Sequence, residues 1–299
     1  MAHRGEALLN VSFFGVRGST PCPCDENRRY GGNTSCVEVT LSDGSRLVLD
    51  AGTGIRALGV GLLDAPQVSI LLTHLHLDHI QGLMFFPPCF RERSQITIWG
   101  PASPEASLES RIARYISAPL SPVEVRELPC QVSFEDTPAS EWRIGPATVR
   151  AESVTHRGPT LGYRITDGDD VLCYIPDHEP ALGMPLDGLD PTWMSGYDLA
   201  HDASLLIHDC QYTDAEYPDH VGWGHSRLSD TLSFGRQVGV ERMLLFHHDP
   251  LHDDRTLDAM EAAAREGWEE RGGDPDGVGL AMEGLETEVS AVRRPVHAA

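Results

Sequence analysis

A run of side chains that can bind metal ions stands directly after a predicted buried strand. Within six residues the chain carries three histidines and one aspartate, at His74, His76, Asp78 and His79. The apolar segment before them, Val68 to Thr73, is typical of a strand buried on both faces. A turn leaving that strand can direct His74 and His76 to one ion and Asp78 and His79 to a second. Imidazole and carboxylate ligands together suit zinc, iron or manganese, so the spacing predicts a metal centre.

Predicted strands and helices alternate along the chain and must position these side chains. Strands are predicted where β-branched or alternating apolar segments lie between turn residues, at Val11 to Arg17, Ser35 to Leu41, Arg46 to Asp50, Val68 to Thr73, Gln95 to Trp99, Ala147 to Thr155, Leu161 to Thr166, Val171 to Ile175, Ser204 to His208 and Arg242 to Phe246. Helices are predicted from apolar spacing and from capping residues, at Ile55 to Leu63, Ser103 to Ser117, Ser229 to Val238 and Asp253 to Glu266. Residues Gly277 to Ser290 are predicted to add a closing strand.

This succession of elements predicts a layered α/β fold in which helices cover mixed sheets. No internal repeat, low-complexity linker or break in composition marks a boundary in the sequence. We therefore predict a single domain over residues 1–290, followed by a frayed tail at 291–299.

The composition of the chain indicates which classes of partner it can bind. The 299 residues include 45 acidic and 23 basic side chains, a formal net charge of −22, and every basic residue is an arginine. Such a surface repels a long polyanion, so a nucleic-acid polymer is not expected as a partner, whereas a small substrate can bind in a locally favourable pocket. The sequence holds no apolar stretch long enough for a membrane span or a signal peptide, and its seven scattered cysteines fit reduced thiols. We expect a cytoplasmic protein without membrane association, and the sequence leaves homodimer formation open.

The motif His74-Leu75-His76-Leu77-Asp78-His79 resembles the HxHxDH signature of the metallo-β-lactamase-fold hydrolases. That resemblance implies an αββα sandwich, in which two mixed β-sheets are flanked by helices. It extends to Asp50 in Asp50-Ala51-Gly52-Thr53-Gly54, which matches the turn that supports the metal loop from behind. It also implies that His156 completes the first ion's ligands, that His247 joins Asp78 and His79 at the second ion, and that Asp177 bridges both. Two divalent ions follow, with zinc as the expected metal and manganese or iron as alternatives.

The segment between His156 and His247 resembles that of tRNase Z and the related small phosphodiesterases, including the cyclic-nucleotide type. It carries in the same order the groups Gly162-Tyr163-Arg164, Asp177 and Gly224-His225-Ser226. By this resemblance His225 is the proton donor to the leaving oxygen and Asp209 orients it.

Three further residues are candidates for substrate chemistry. Asp78 is expected to be required for turnover as well as for metal binding. Arg17 and Asn33 lie in glycine-containing turns and are candidates for contacting phosphate oxygens, with hairpin geometry as the alternative explanation of those turns.

The resemblance also bears on the substrate. His156 and Asp177 are only 21 positions apart, which leaves no room for the long basic arm with which tRNase Z grips tRNA. The expected activity is therefore hydrolysis of a small phosphodiester, such as a cyclic nucleotide, by a hydroxide that bridges the two ions. The alternatives are an acyl hydrolase of the lactonase or thioesterase type, a tRNA 3′-processing endonuclease, which the charge and the missing arm disfavour, and a di-iron redox or sensor protein.

Overall fold

The computed structural model describes residues 9–290, which form fourteen strands and six α-helices. In chain order the strands are β1 (Leu9–Gly15), β2 (Cys36–Thr40), β3 (Arg46–Leu49), β4 (Gln67–Leu71), β5 (Gln95–Gly100), β6 (Gln131–Asp136), β7 (Trp142–Ile144), β8 (Ala147–Ser153), β9 (Leu161–Asp167), β10 (Asp170–Ile175), β11 (Leu205–Asp209), β12 (Met243–Phe246), β13 (Val278–Leu280) and β14 (Glu286–Val289). The helices are α1 (Ile55–Gly61), α2 (Leu77–Ile80), α3 (Leu108–Ala113), α4 (Tyr197–Ala200), α5 (Leu228–Gln237) and α6 (Asp254–Glu270).

The strands form two seven-stranded mixed sheets. The first has the order β14-β1-β2-β3-β4-β5-β6, and the second has the order β13-β12-β11-β10-β9-β8-β7. Leu9 of β1 pairs with Val289 of β14, so both ends of the described chain lie in the first sheet.

Three apolar layers hold the two sheets and the helices together. Between the sheets, apolar side chains of the first sheet pack against those of the second, among them Phe13, Leu49, Leu71, Tyr163, Ile165 and Phe246. A second cluster joins the outer face of the first sheet to α1, α2 and α3, and a third joins the second sheet to α4, α5 and α6. The predicted αββα sandwich is thereby confirmed.

The predicted site residues lie at the carboxyl ends of the central strands. β3 and β4 are parallel neighbours in the first sheet, and β10, β11 and β12 are parallel in the second. β8 shares their direction, because β9 is antiparallel to both β8 and β10. Turns that follow parallel strands meet at one edge, which is where such sheets present side chains to ligands. These strand ends carry Asp50, the segment 74–79, His156, Asp177, Asp209 and His247.

Two predicted elements differ from the structure, and two observed strands were not predicted. The helix expected from Ser103 begins at Leu108, because the Ser107 side chain accepts the cap hydrogen bond from the Ser110 backbone N–H, and it ends at Ala113. The closing strand is two short strands, β13 and β14, which belong to different sheets. The sequence analysis missed β6 and β7, which are edge strands whose residues are all exposed or half-buried.

Between residues 9 and 290 no helix combines the length and the apolar character needed to cross a lipid bilayer. The tail predicted at 291–299 lies outside the described residues. We propose that residues 1–290 form one domain, as the sequence predicts.

Candidate metal centre

The first group of ligands joins the loop after β4 to the turn after β8. His74, His76 and His156 place their ligand atoms within 4.8 Å of one another. Nε2 of His156 lies 3.3 Å from Nδ1 of His76, and the His74 ring centroid lies 4.3 Å from that of His76. Three imidazoles converging in this way can hold a single ion and leave a coordination position open.

The second group joins α2 to the turn after β12 and is fully buried. Nε2 of His79 and Nε2 of His247 lie 3.4 Å apart, and each lies near Oδ2 of Asp78, at 3.3 Å and 3.2 Å respectively. The same oxygen accepts a hydrogen bond of 2.8 Å from the backbone N–H of Ser19. Burial raises the pKa of Asp78, but His79 and His247 outweigh it and lower the pKa well below its usual value. This carboxyl group therefore stays ionised and can bind a cation.

Asp177 lies between the two groups. Its Oδ1 is 3.1 Å from Nε2 of His79. Its Oδ2 is 3.3 Å from Nε2 of His247, 3.6 Å from Nε2 of His156 and 3.7 Å from Nε2 of His74. One carboxylate thus reaches ligands of both groups, which is the position that the sequence analysis assigned to a bridging residue.

Hydrogen bonds behind the ligands orient their rings. Nδ1 of His156 is 2.7 Å from the Gly224 carbonyl oxygen, and Nδ1 of His247 is 3.0 Å from Oε1 of Gln211. Both partners are acceptors, so each Nδ1 carries the proton and each Nε2 keeps its lone pair toward the centre. Sequence reasoning did not identify Gln211, because an isolated glutamine in a turn gives no signal of this role.

Asp50 supports the metal loop from behind, where the sequence analysis placed it. Its Oδ2 lies 2.8 Å from Nδ1 of His79 and accepts a hydrogen bond of 3.0 Å from the Tyr174 hydroxyl. Its Oδ1 accepts from both the backbone N–H and the hydroxyl of Thr73. The residue is completely buried and has a left-handed backbone with φ of 57°. Such conformations are costly for a non-glycine residue and persist where the surrounding contacts hold them.

The donor set fits a pair of divalent cations. Nε2 of His74 is buried and makes no hydrogen bond, a state that costs free energy unless another partner binds this atom. Burial lowers the pKa of His74, His76 and His156 and favours the neutral form that ligates metals. At His79, burial is outweighed by the carboxylates of Asp177, Asp78 and Asp50, which raise its pKa. The centre therefore combines three neutral imidazoles with a concentration of negative charge around His79.

His225 lies against both ligand groups and is paired with Asp209. Its ring centroid is 4.9 Å from that of His156, and it stacks on His247 at 4.8 Å. Nδ1 of His225 is 2.6 Å from Oδ2 of Asp209. Burial lowers the pKa of His225, but the charge of Asp209 and this hydrogen bond outweigh burial and raise it to about 9. The structure thus brings together the two residues that the sequence analysis paired.

Glu179, which sequence reasoning missed, holds the loop that carries His225. One carboxylate oxygen accepts hydrogen bonds from the Tyr217 hydroxyl and the Gly222 N–H, and the other accepts from the Gly224 N–H. All of these distances are 2.7–2.8 Å. Glu179 is buried, and its position two residues after Asp177 is the signal that could have identified it.

Two glycines allow close approach to the ligands. A Cβ atom on Gly18 would lie 2.4 Å from the His247 ring, and a Cβ atom on Gly224 would lie 2.4 Å from Nδ1 of His156. Gly224 also has φ of +92°, which other residues rarely adopt. Larger residues at these positions would push a ligand out of place.

The predicted substrate contact of Arg17 is wrong. Its side chain is fully buried and donates hydrogen bonds to the backbone carbonyls of Gly31, Asp249 and His252. A phosphate cannot reach it, so Arg17 serves to join three loops.

Asn33 is also occupied by protein contacts. Its side-chain amide donates to Glu283 at 2.9 Å, and its carbonyl oxygen accepts from the Thr53 hydroxyl at 3.0 Å. Because both ends of the side-chain amide have protein partners, we do not retain Asn33 as a substrate contact.

Comparison with known proteins agrees with this geometry. Residues 45–248 match the family model described as the beta-lactamase superfamily domain. A relative named ribonuclease Z, from Mycobacterium sp. (strain KMS), is 25% identical over 271 residues, covering 81% of this chain and 85% of that protein. The crystal structure of human tRNase Z, short form, is similar with a TM-score of 0.65 and 21% identity, covering 94% of this chain and all of the other. A diphosphatase from the PhnP family is similar with a TM-score of 0.67 and 16% identity, covering 94% and 98% of the two chains.

Proposed function

Because this chain belongs to the beta-lactamase superfamily and is a hydrolase of that fold, we propose that it is a phosphodiesterase dependent on two divalent ions. Its substrate is a small phosphodiester such as a cyclic nucleotide. Support comes from the seven converging ligand side chains, from the pair formed by His225 and Asp209, and from the short connection between His156 and Asp177, which holds no inserted arm.

We assign the two ligand groups to two ions. His74, His76 and His156 would hold one ion, Asp78, His79 and His247 would hold the other, and Asp177 would contact both. Nitrogen and oxygen donors of this kind favour zinc, with manganese or iron as alternatives. When bound, such ions lower the pKa of water and polarise a phosphoryl oxygen.

The observation that carries the proposal is the hydrogen bond of 2.6 Å between Nδ1 of His225 and Oδ2 of Asp209. Asp209 orients the ring so that Nε2 of His225 is the atom available to the substrate, and the ring lies against ligands of both groups. An alkoxide leaving from phosphorus needs a proton, and a positioned imidazolium can donate it. This role favours a phosphodiester over the acyl substrates of lactonases and thioesterases.

A small substrate is favoured by what lies between His156 and Asp177. That segment contains the strands β9 and β10, with only residues 168 and 169 between them. Within it no arm extends to grip a folded RNA, and the chain carries a net charge of −22. A long polyanion would be repelled by such a surface.

Processing of tRNA 3′ ends is the second candidate, because curated relatives that match most of the chain are named ribonuclease Z. The two candidates are separated by assaying a precursor tRNA and a cyclic nucleotide with the same metal-loaded sample. Efficient cleavage of the precursor tRNA with no activity on small diesters would reverse our preference.

The proposed chemistry is tested with bis-p-nitrophenyl phosphate. The purified protein is stripped with a chelator, zinc, manganese or iron is added back separately, and metal content is measured on the same samples. We expect release of p-nitrophenol only in metal-loaded samples. Two bound ions without release would favour acyl hydrolysis or di-iron redox chemistry, and an oxygen-dependent optical band in the iron-loaded sample would identify the latter.

A further inference from the structure

A cavity of about 420 Å³ opens beside His74 and His76. Its volume lies in the range of sites for small ligands. Pro101, Pro104 and Pro159 form part of its wall, so this part of the wall is apolar and stiff. Because the cavity is continuous with the first ligand group, it can receive a part of the substrate that does not react.

Arg157 brings an unpaired positive charge to this cavity. It directly follows His156 and is exposed. Its Nε donates a hydrogen bond of 3.1 Å to the Gly222 carbonyl, which fixes the guanidinium while the terminal nitrogens stay free of carboxylates. Among residues 9–290, none forms an ion pair with Arg157 within 4.0 Å.

Two other charged residues line the same cavity. Arg111 is held at the wall, where its Nη2 donates to the Pro101 carbonyl and lies 3.7 Å from Oδ1 of Asp136. Glu105 is exposed and contributes one negative charge. Because Asp136 offsets the charge of Arg111, Arg157 is left as the positive charge of this cavity that no carboxylate of the described residues neutralises within 4.0 Å. A local field of this sign attracts an anion.

We propose that this cavity binds a second anionic group of the substrate through Arg157. The inference rests on the proposed phosphodiesterase function and narrows its substrate to a small phosphodiester that carries a terminal phosphate monoester. A planar guanidinium can form two parallel hydrogen bonds to a phosphate, which gives both affinity and orientation. Glu105 opposes this binding and limits it to groups that reach the Arg157 side of the cavity.

The test compares substrates that differ by one phosphate. Thymidylyl-thymidine and the same dinucleotide phosphorylated at its 5′ or its 3′ end are assayed with the metal-loaded protein. We expect kcat/KM to be about tenfold higher for one phosphorylated form than for the unphosphorylated dinucleotide, mainly through KM, which corresponds to one charge-assisted contact.

Variants assign the preference to particular side chains. Arg157→Gln should reduce the preference ratio to about one and Glu105→Gln should increase it, because each changes the local charge. Arg157→Lys should retain part of the preference, because lysine keeps the charge but cannot form two parallel hydrogen bonds to a phosphate. Arg56→Gln is the matched control, since Arg56 lines a separate cavity and its loss changes the net charge equally. The ratio should not change in that variant.

The outcomes separate the two proposals. Failure of the metal-loaded wild type to hydrolyse bis-p-nitrophenyl phosphate or any dinucleotide overturns the proposed function and this inference with it. If the wild-type protein hydrolyses these substrates but shows the same kcat/KM for the phosphorylated and unphosphorylated dinucleotides, only this inference is overturned. A kcat loss in Arg157→Gln that is equal for all substrates, with the ratio kept, also overturns it, because Arg157 would then act only through its bond to Gly222.

Discussion

Nδ1 of His225 lies 2.6 Å from Oδ2 of Asp209, and that carboxylate is fully engaged by neighbouring donors. Oδ2 also accepts from the His178 backbone N–H, and Oδ1 accepts from the backbone N–H groups of Gln211 and Ser226. Asp209 cannot turn without breaking these bonds. The His225 ring is therefore held in one orientation beside the candidate ligands.

Replacing His225 by alanine should leave two ions bound per chain and lower kcat by about 10²- to 10⁴-fold, the usual contribution of a positioned proton donor. Metal content and kcat on thymidylyl-thymidine, whose leaving group is an alkoxide that needs a proton, are measured on the same preparation. His201→Ala is the control, because that histidine side chain is half exposed. Turnover at the wild-type rate in the His225 variant would eliminate its role as an acid.

Removal of one candidate ligand from either group should abolish binding of one ion and leave the other bound. His76→Ala and His247→Ala are each expected to bind one ion instead of two, because the altered group keeps too few ligands while the other stays intact. Asp177→Ala should weaken the binding of both ions, since the Asp177 oxygens lie near ligands of both groups. Metal is counted by mass spectrometry of acid-digested protein. Two tightly bound ions in all three variants would show that these side chains are not the ligands.

Gly18→Ala should selectively impair the second ligand group. The added Cβ would lie 2.4 Å from Nδ1 and Cε1 of His247, so the ring must leave the position in which its Nε2 lies beside His79 and Asp78. We expect weaker binding of one ion, with the other unaffected, in a calorimetric titration of metal-free protein. Gly61→Ala is the control, because a Cβ there meets nothing within 4 Å. Equal affinities in the Gly18 variant and the wild type would contradict the close approach.

Metal removal should lower thermal stability. Without ions, the buried Nε2 of His74 has no hydrogen-bond partner, and the buried carboxylates of Asp78 and Asp177 lack a cation. Ions that bind the folded chain alone stabilise it by about 2.7 kcal/mol at a free concentration one hundred times Kd. The melting temperature is compared with chelator, and again after zinc is restored. A melting temperature that chelator leaves unchanged would argue that no ion is bound by these residues.

The site residues that belong to a local sequence pattern could be predicted from the sequence. The residues at 74–79 stand together after a buried strand, and Asp50, His156, Asp177 and His247 each follow another strand, so the parallel topology brings them to one edge. The functions of Glu179 and Gln211 depend on which backbone groups and rings the fold places beside them. The error at Arg17 has the same origin, because only the packing of three loops shows that its guanidinium is enclosed.

Glu179→Gln should show that this buried carboxylate positions the loop of His225. An amide cannot accept from Tyr217, Gly222 and Gly224 together, because one of its two ends is a donor. Loss of hydrogen bonds to a charged group costs roughly 1.5–3 kcal/mol each, so we expect a lower melting temperature and a lower kcat while both ions stay bound. Thermal unfolding, metal content and kcat are measured in parallel with Glu270→Gln, a change at an exposed position at the end of α6. A variant with wild-type kcat and a reduced melting temperature would show that Glu179 only stabilises the fold. Loss of metal would show that Glu179 also positions His156, through the hydrogen bond of that ring to the Gly224 carbonyl.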